Sequence, residues 1–209
     1  MKRSFSLLEL VIVILLLSLL YTIFISKTKI SKIDEVTNRL IIYLKQTRYQ
    51  AMIDNKYDEN STLWYKSRWT MKFFRCRKDQ EGIYYVIYSD KNKTGHPSVE
   101  DTLKDPLTNK NIYSSNYCLE KNENSKYVLL SKYYGIKDIN ISCNNTSTLG
   151  QISFASNGKI YSKLSNNGNE AYEYEITDKC YIELIDESNE KRTIELEPKT
   201  SYIRKINNK

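Results

Sequence analysis

The chain has 209 residues, with 32 basic against 25 acidic side chains and a formal charge of +7; that length accommodates one ordinary domain with an appendage, not two large domains. With 6 Gly, 3 Pro and 4 Cys, the composition excludes a collagenous, knottin-like or multi-span membrane protein and argues against a long disordered tail. The 18 Tyr, 5 Phe and 2 Trp favour a β-rich soluble part, and the positive balance permits an anionic partner without requiring one.

Met1, Lys2, Arg3 and Ser4 precede an apolar run from Phe5 to Ile25 that is interrupted by Ser6, Glu9, Ser18 and Thr22. As a helix, its 21 residues span roughly 30 Å, the thickness of a bilayer core. A secretory signal peptide has a shorter core followed by a small-x-small cleavage site; here the run ends in Tyr21-Thr22-Ile23-Phe24-Ile25-Ser26-Lys27, which offers none. A retained membrane helix is therefore expected. Lys2 and Arg3 compete with Lys27, Lys29 and Lys32 under the positive-inside rule, and the Cys-containing polar bulk after the helix favours the N-terminus inside. Glu9 is the anomaly. A carboxylate at the centre of a membrane helix costs on the order of 3 kcal/mol, so Glu9 either lies near the helix start and reaches the headgroups or has a designated partner on assembly.

Lys2-Arg3-Ser4 followed by Phe5-Ser6-Leu7-Leu8-Glu9-Leu10-Val11 resembles the prepilin-type N-terminus of type IV pilins and type II secretion pseudopilins. The resemblance implies that a prepilin peptidase cuts between Ser4 and Phe5, that the new amine of Phe5 is methylated, and that Glu9 is the retained helix glutamate. The family usually has Gly before the cut; Ser4 is also small enough for a narrow protease site. Cleavage creates a cation at Phe5 that a neighbouring subunit's Glu9 can pair with, fixing the axial register of the helices rather than adding net stability.

Beyond the membrane, Ile30, Ile33, Val36 or Thr37, Leu40, Leu44, Thr47 and Ala51 recur at three- and four-residue spacing, and neither Gly nor Pro intervenes between Phe5 and Asn55. One helix of about 50 residues is expected, its second half packing on a sheet. Strands are expected at 62–66, 69–76 and 83–88 as a meander, then a long surface loop over 89–125, then strands at 127–131, 138–142, 150–155, 159–164, 172–177, 180–186, 192–197 and 202–206. Ser156-Asn157-Gly158-Lys159 reads as a hairpin turn. The segments 44–52 and 152–158, with the Ile-Glu-Leu-Glu strand at 194–197, loosely resemble H-type minor pseudopilins. The resulting scheme is a leader at 1–4, a transmembrane helix at 5–25, its amphipathic continuation at 26–55 and a periplasmic globular domain at 56–209. The fold class is α+β and pilin-like, a long N-terminal helix packed on an antiparallel sheet.

Cys76, Cys118, Cys143 and Cys180 form no C-x-x-C pair, and one histidine accompanies them, so two extracytoplasmic disulfides are expected rather than zinc. Of three connectivities, Cys118–Cys143 clipping the loop with Cys76–Cys180 is favoured; free buried thiols are the plain alternative. Five Asn-x-Ser/Thr sites occur, at Asn60, Asn92, Asn140, Asn144 and Asn145. Asn60, Asn92 and Asn140 each follow an Asp by two residues, which resembles the extended acceptor sequon of bacterial periplasmic N-glycosylation. These three are the glycosylation candidates, with turn-rich Asn/Asp composition as the alternative.

No hydrolase elbow, Walker loop or metal-ligand spacing is found. His96 beside Pro97 reads as a loop histidine, and the acidic C-terminal half as a solvated strand face rather than a calcium site. The expectation is an assembly subunit, without cofactor or catalysis, in the bacterial inner membrane with its C-terminal domain in the periplasm. Its implied partners are other pilin or pseudopilin subunits, the prepilin peptidase and the inner-membrane assembly platform. Arg68, Lys72, Arg75, Arg204 and Lys205 lie among Trp64, Tyr65, Trp69, Phe73 and Tyr202 and are candidates for holding phosphates while the rings stack bases; the alternative is a sheet whose basic residues flank core aromatics. Related proteins serve protein secretion, pilus priming or DNA uptake, and DNA uptake is the expected cargo function, with a type II protein-secretion pseudopilin or a simple membrane-anchored periplasmic protein as the alternatives.

Overall fold

The structure, a computed structural model, describes residues 6–24 and 31–206. The chain divides into two compact units, Met1–Ser31 and Lys32–Lys209. The first contains helix α1, Leu7–Phe24. The second opens with α2, Lys32–Ile53, and carries a short helix α3, Leu130–Tyr134, and eight strands. Residues 25–30, through which one continuous helix is expected to run, lie outside the described residues, as do Ser4 and Phe5. Among the described residues no helix is long and apolar enough to cross a membrane. The 18 residues of α1 reach about 27 Å at 1.5 Å each, against roughly 30 Å of bilayer core.

The second unit is α+β. One antiparallel sheet has the order β2-β1-β4-β5, from Trp69–Arg75 (β1), Ile83–Tyr88 (β2), Gln151–Phe154 (β4) and Ile160–Tyr161 (β5). The other has the order β3-β6-β7-β8, from Ile136–Ile141 (β3), Cys180–Asp186 (β6), Lys191–Glu197 (β7) and Tyr202–Ile206 (β8). Helix α2 packs against strands of both. Its buried face is Ile33, Val36, Thr37, Leu40, Tyr43, Leu44, Thr47 and Ala51, the stripe a 3.6-residue period requires. Two buried hydroxyls in that stripe stay inside the helix: Thr37 Oγ1 donates to the Ile33 carbonyl at 2.6 Å and Thr47 Oγ1 to that of Tyr43 at 2.7 Å. Helix α2 shares the core of the second unit, which runs from Lys32.

Three expected strands are not strands. Residues 64–67 form a 3₁₀ turn in which Tyr65 is buried and donates to the Asn167 carbonyl. Residues 127–131 divide between a 3₁₀ turn and α3, which ends at Gly135 with φ +66°, where the Gly135 N–H returns to the Ser131 carbonyl. Residues 172–177 make only an isolated bridge, Tyr161 with Glu175. In each case an aromatic-rich run reads as a pleated surface, while a local turn or cap fixes the backbone instead. The hairpin at 156–159 joins β4 to β5 with Gly158 at φ +82°. The loop after β2 is less independent than expected, since the Leu103 N–H bonds to Ile87 and the Ile112 N–H to Leu103, both at 2.8 Å, and Ile112 is fully buried. It covers the β2 edge of the sheet.

The disulfides are Cys76–Cys118 and Cys143–Cys180, with Cα atoms 5.8 and 5.4 Å apart, and they replace the expected pairing. Cys143 leaves β3 where Cys180 enters β6, and those strands are antiparallel neighbours, so the two thiols meet at one end of the ladder. Cys118 pins the covering loop to the exit of β1 rather than to the second sheet.

Leu40 is fully buried, whereas Ile42 is 59% exposed. Leu40→Ala is therefore expected to lower unfolding stability by about 2–5 kcal/mol, and Ile42→Ala to change it by less than about 0.5 kcal/mol, as read from chemical denaturation curves.

Candidate functional site

The one carboxylate of α1, Glu9, is held by the local backbone. The Ser6 N–H donates to Glu9 Oε2 at 2.9 Å and the Glu9 N–H to Ser6 Oγ at 3.3 Å. Ser6-Leu7-Leu8-Glu9 is thus a capping box, which satisfies two donors that the first helical turn leaves open and places a carboxylate at the positive end of the helix dipole. The S-x-x-E spacing was there to be found in the sequence. The apolar side chains from Leu7 to Leu20, and Tyr21 after them, are all exposed, Leu7 at 82% and Val13, the least, at 42%. Glu9 is also exposed, amid this apolar surface.

The acid-marked sequons do not share one environment. Asn60 and Asn92 are exposed in turns, and Lys93 Nζ donates to Ser61 Oγ at 2.6 Å, which sets the two sequons side by side. Asn92 Oδ1 accepts from the Thr94 N–H and hydroxyl at 3.1 and 2.7 Å. Its marking acid, Asp90, is only 2% exposed and accepts from the Gly95 N–H. Asn140 is exposed but sits in β3, with Asp138 paired to Arg75 at 2.9 Å. Only Asn60 keeps both acid and amide at the surface outside a strand, Asp58 Oδ1 accepting from the Asn60 N–H at 3.0 Å.

The five basic candidates are not brought together. Arg68 is 2% exposed, with Nη1 donating to the Ala171 carbonyl at 2.7 Å. Arg75 faces Asp138, and Arg204 Nη2 reaches Glu195 at 2.9 Å. Lys205 pairs with Asp34, which also takes Arg192 Nε at 2.7 Å and Nη2 at 3.1 Å. Apart from the buried Arg68, Lys72 alone carries no ion pair among the described residues. It lines a groove of about 750 Å³ with Lys66 and Lys163, which are likewise without an ion pair there. Burial pushes the Lys72 ammonium below its ordinary value, and nearby Asp90 offsets part of that. Lys66 lies in the basic, aromatic stretch that the sequence shows, whereas Lys163 is brought to it only by the pairing of β1 with β4 and of β4 with β5. Among the described residues no group of three or more His, Cys, Asp or Glu is placed to hold a metal ion, and all four cysteines are disulfide-bonded.

Glu195 is 6% exposed on β7. Burial pushes its carboxyl up, but hydrogen bonds from Arg204 and Lys179 outweigh burial and hold it below its ordinary 4.5. Asp105, fully buried, is likewise lowered from 3.8, burial being outweighed by donors that include the Leu107 N–H and the Tyr43 and Ser125 hydroxyls. A lowered folded-state value means that the stability each carboxylate contributes is complete above its ordinary value and is lost as pH falls through the lowered one. The denaturation midpoint is expected to fall as pH drops below about 4.5, and Glu195→Gln to flatten that acid limb, as followed by urea titration at stepped pH.

Compared with family models, curated proteins and solved structures, the chain matches none.

Proposed function

We propose that this chain is a minor pilin or pseudopilin, a structural subunit of an inner-membrane-anchored filament of the type IV pilus or type II secretion kind. The observation that carries the proposal is α1. Its apolar side chains from Leu7 to Leu20 are exposed, and its one carboxylate, Glu9, lies four residues after Phe5. Such a surface requires lipid or neighbouring helices to cover it. Residues 5–25 form the membrane anchor, the cut between Ser4 and Phe5 supplies the cation, and Glu9 exchanges its bond with the Ser6 N–H for that cation in the next subunit. The packing of α2 on antiparallel sheets is the arrangement that such a subunit needs to carry a globular head on a helical stem, and two disulfides suit a periplasmic head.

Glu9→Gln separates the two roles of the residue, since glutamine also completes a capping box. The variant is expected to fold and to lose residues 1–4, seen by intact mass, while its recovery in sheared or cross-linked filaments falls more than about tenfold. Ser6→Ala, which removes the hydroxyl cap and keeps the charge, is expected to assemble. Recovery of Glu9→Gln at the wild-type level overturns the proposal.

DNA uptake is the cargo function that the Lys66, Lys72 and Lys163 groove favours, because those cations are not neutralised by ion pairs among the described residues. Replacing all three by Gln is expected to weaken binding of single-stranded DNA and to reduce its log–log salt slope by about 2, at roughly 0.7 per phosphate contact. An unchanged slope favours a protein-secretion filament.

A further inference from the structure

The chain contains two tryptophans, and both line one cleft. Trp64, Trp69 and Tyr172 help wall a space of about 200 Å³ beside the end of α2, and its charged lining is Asp54, Lys56 and Arg68. Asp54 Oδ2 accepts from Lys56 Nζ at 2.5 Å and from Trp69 Nε1 at 2.8 Å, so that acid and that base cancel. The charge of Arg68 remains. Its guanidinium carbon lies 3.9 Å from the ring centroid of Tyr161, 4.9 Å from Trp64 and 5.9 Å from Tyr172. No carboxylate stands within ion-pair distance of it among the described residues. Nη1 bonds the Ala171 carbonyl, while Nε and Nη2 are buried without a hydrogen-bond partner. Ring faces attract a cation, but they do not accept the in-plane N–H groups, and they offset only part of the cost of burying the charge. The Nε–Nη2 edge is one with which arginine meets a carboxylate through two parallel hydrogen bonds.

We propose that this cleft is a binding site for a small monocarboxylate with a flat, apolar body, its oxygens on the Nε–Nη2 edge of Arg68 and its body against Trp64 and Trp69. The single uncompensated positive charge matches a monoanion. The volume lies below the roughly 300–1,000 Å³ of drug-sized pockets, which limits the ligand to a small acid. This site is independent of the filament role, since no residue of α1 takes part.

The test is a titration of the full-length protein in detergent with benzoate and with its neutral analogue benzamide, followed by tryptophan fluorescence, which reports this cleft because the chain has no tryptophan elsewhere. Benzoate is expected to give a saturable change and benzamide to bind at least about tenfold more weakly. Arg68→Lys, which keeps charge without the fork, is expected to weaken benzoate by about tenfold, and Arg68→Gln to abolish its effect. Circular dichroism establishes that each variant is folded. Should the Arg68 variants not fold, Tyr172→Ala decides, because Tyr172 is 61% exposed and contributes only a wall; it is expected to weaken benzoate several-fold. Equal binding of benzamide, no saturable response to benzoate, or an undiminished response in a folded Arg68→Gln or in Tyr172→Ala overturns the site and leaves a cleft that holds water alone.

Discussion

Two four-stranded sheets that share no strand become one body because a single helix buries one face across both. The apolar stripe of α2 supplies the non-directional part of that union. The direction comes from a carboxylate at each end of the helix. Asp34, in the first turn, takes the Arg192 guanidinium of β7 through two bonds and the Lys205 ammonium of β8. Asp54, just past the last turn, takes the indole N–H of Trp69 at the start of β1. One end is therefore hooked to one sheet and the other end to the other. Hydrophobic burial alone allows a helix to slide or rotate along a sheet; two directional contacts about thirty ångströms apart along a 22-residue helix remove that freedom.

The face of α2 was legible because a 3.6-residue period survives any tertiary context, and only Tyr43 was left out of it. Strands β2, β6 and β8 have the expected limits, and β1, β3, β4 and β7 agree to within two residues. These segments alternate or are buried on both faces, and turn residues bound them. The errors share a cause. Tyrosine and tryptophan serve equally well in a strand, a 3₁₀ turn or a short helix, so a tyrosine-rich chain weakens composition as a guide to backbone. Tyr65 and Tyr134 are both buried outside strands. The disulfide pairing was not legible because it depends on β3 and β6 being neighbours, which a strand order of β3-β6-β7-β8 settles and residue spacing does not.

Among the site residues, Glu9 was legible as an anomaly of charge, while its capping partner was overlooked although only three residues separate them. The basic residues were legible as charges and not as free charges. Arg75 and Lys205 find carboxylates far away in sequence, Arg204 finds Glu195 across the β7–β8 hairpin, and Arg68 disappears among rings. A basic residue within an aromatic strand thus says little about an anionic partner until its intramolecular partners are known. The lysines that remain come from a turn, a central strand and the segment after β5, a combination that no local window contains.

The two disulfides also bear on how the molecule is made. Cys76 joins Cys118 and Cys143 joins Cys180, so each cysteine bonds the neighbour with which it is consecutive in the chain. A polypeptide oxidised from its N-terminus onward acquires both bridges by first-come pairing. The alternative nested or interleaved patterns place a wrong partner nearer in time and need thiol–disulfide reshuffling to correct it. The connectivity therefore lets oxidation follow the order of the chain, without a requirement for an isomerase.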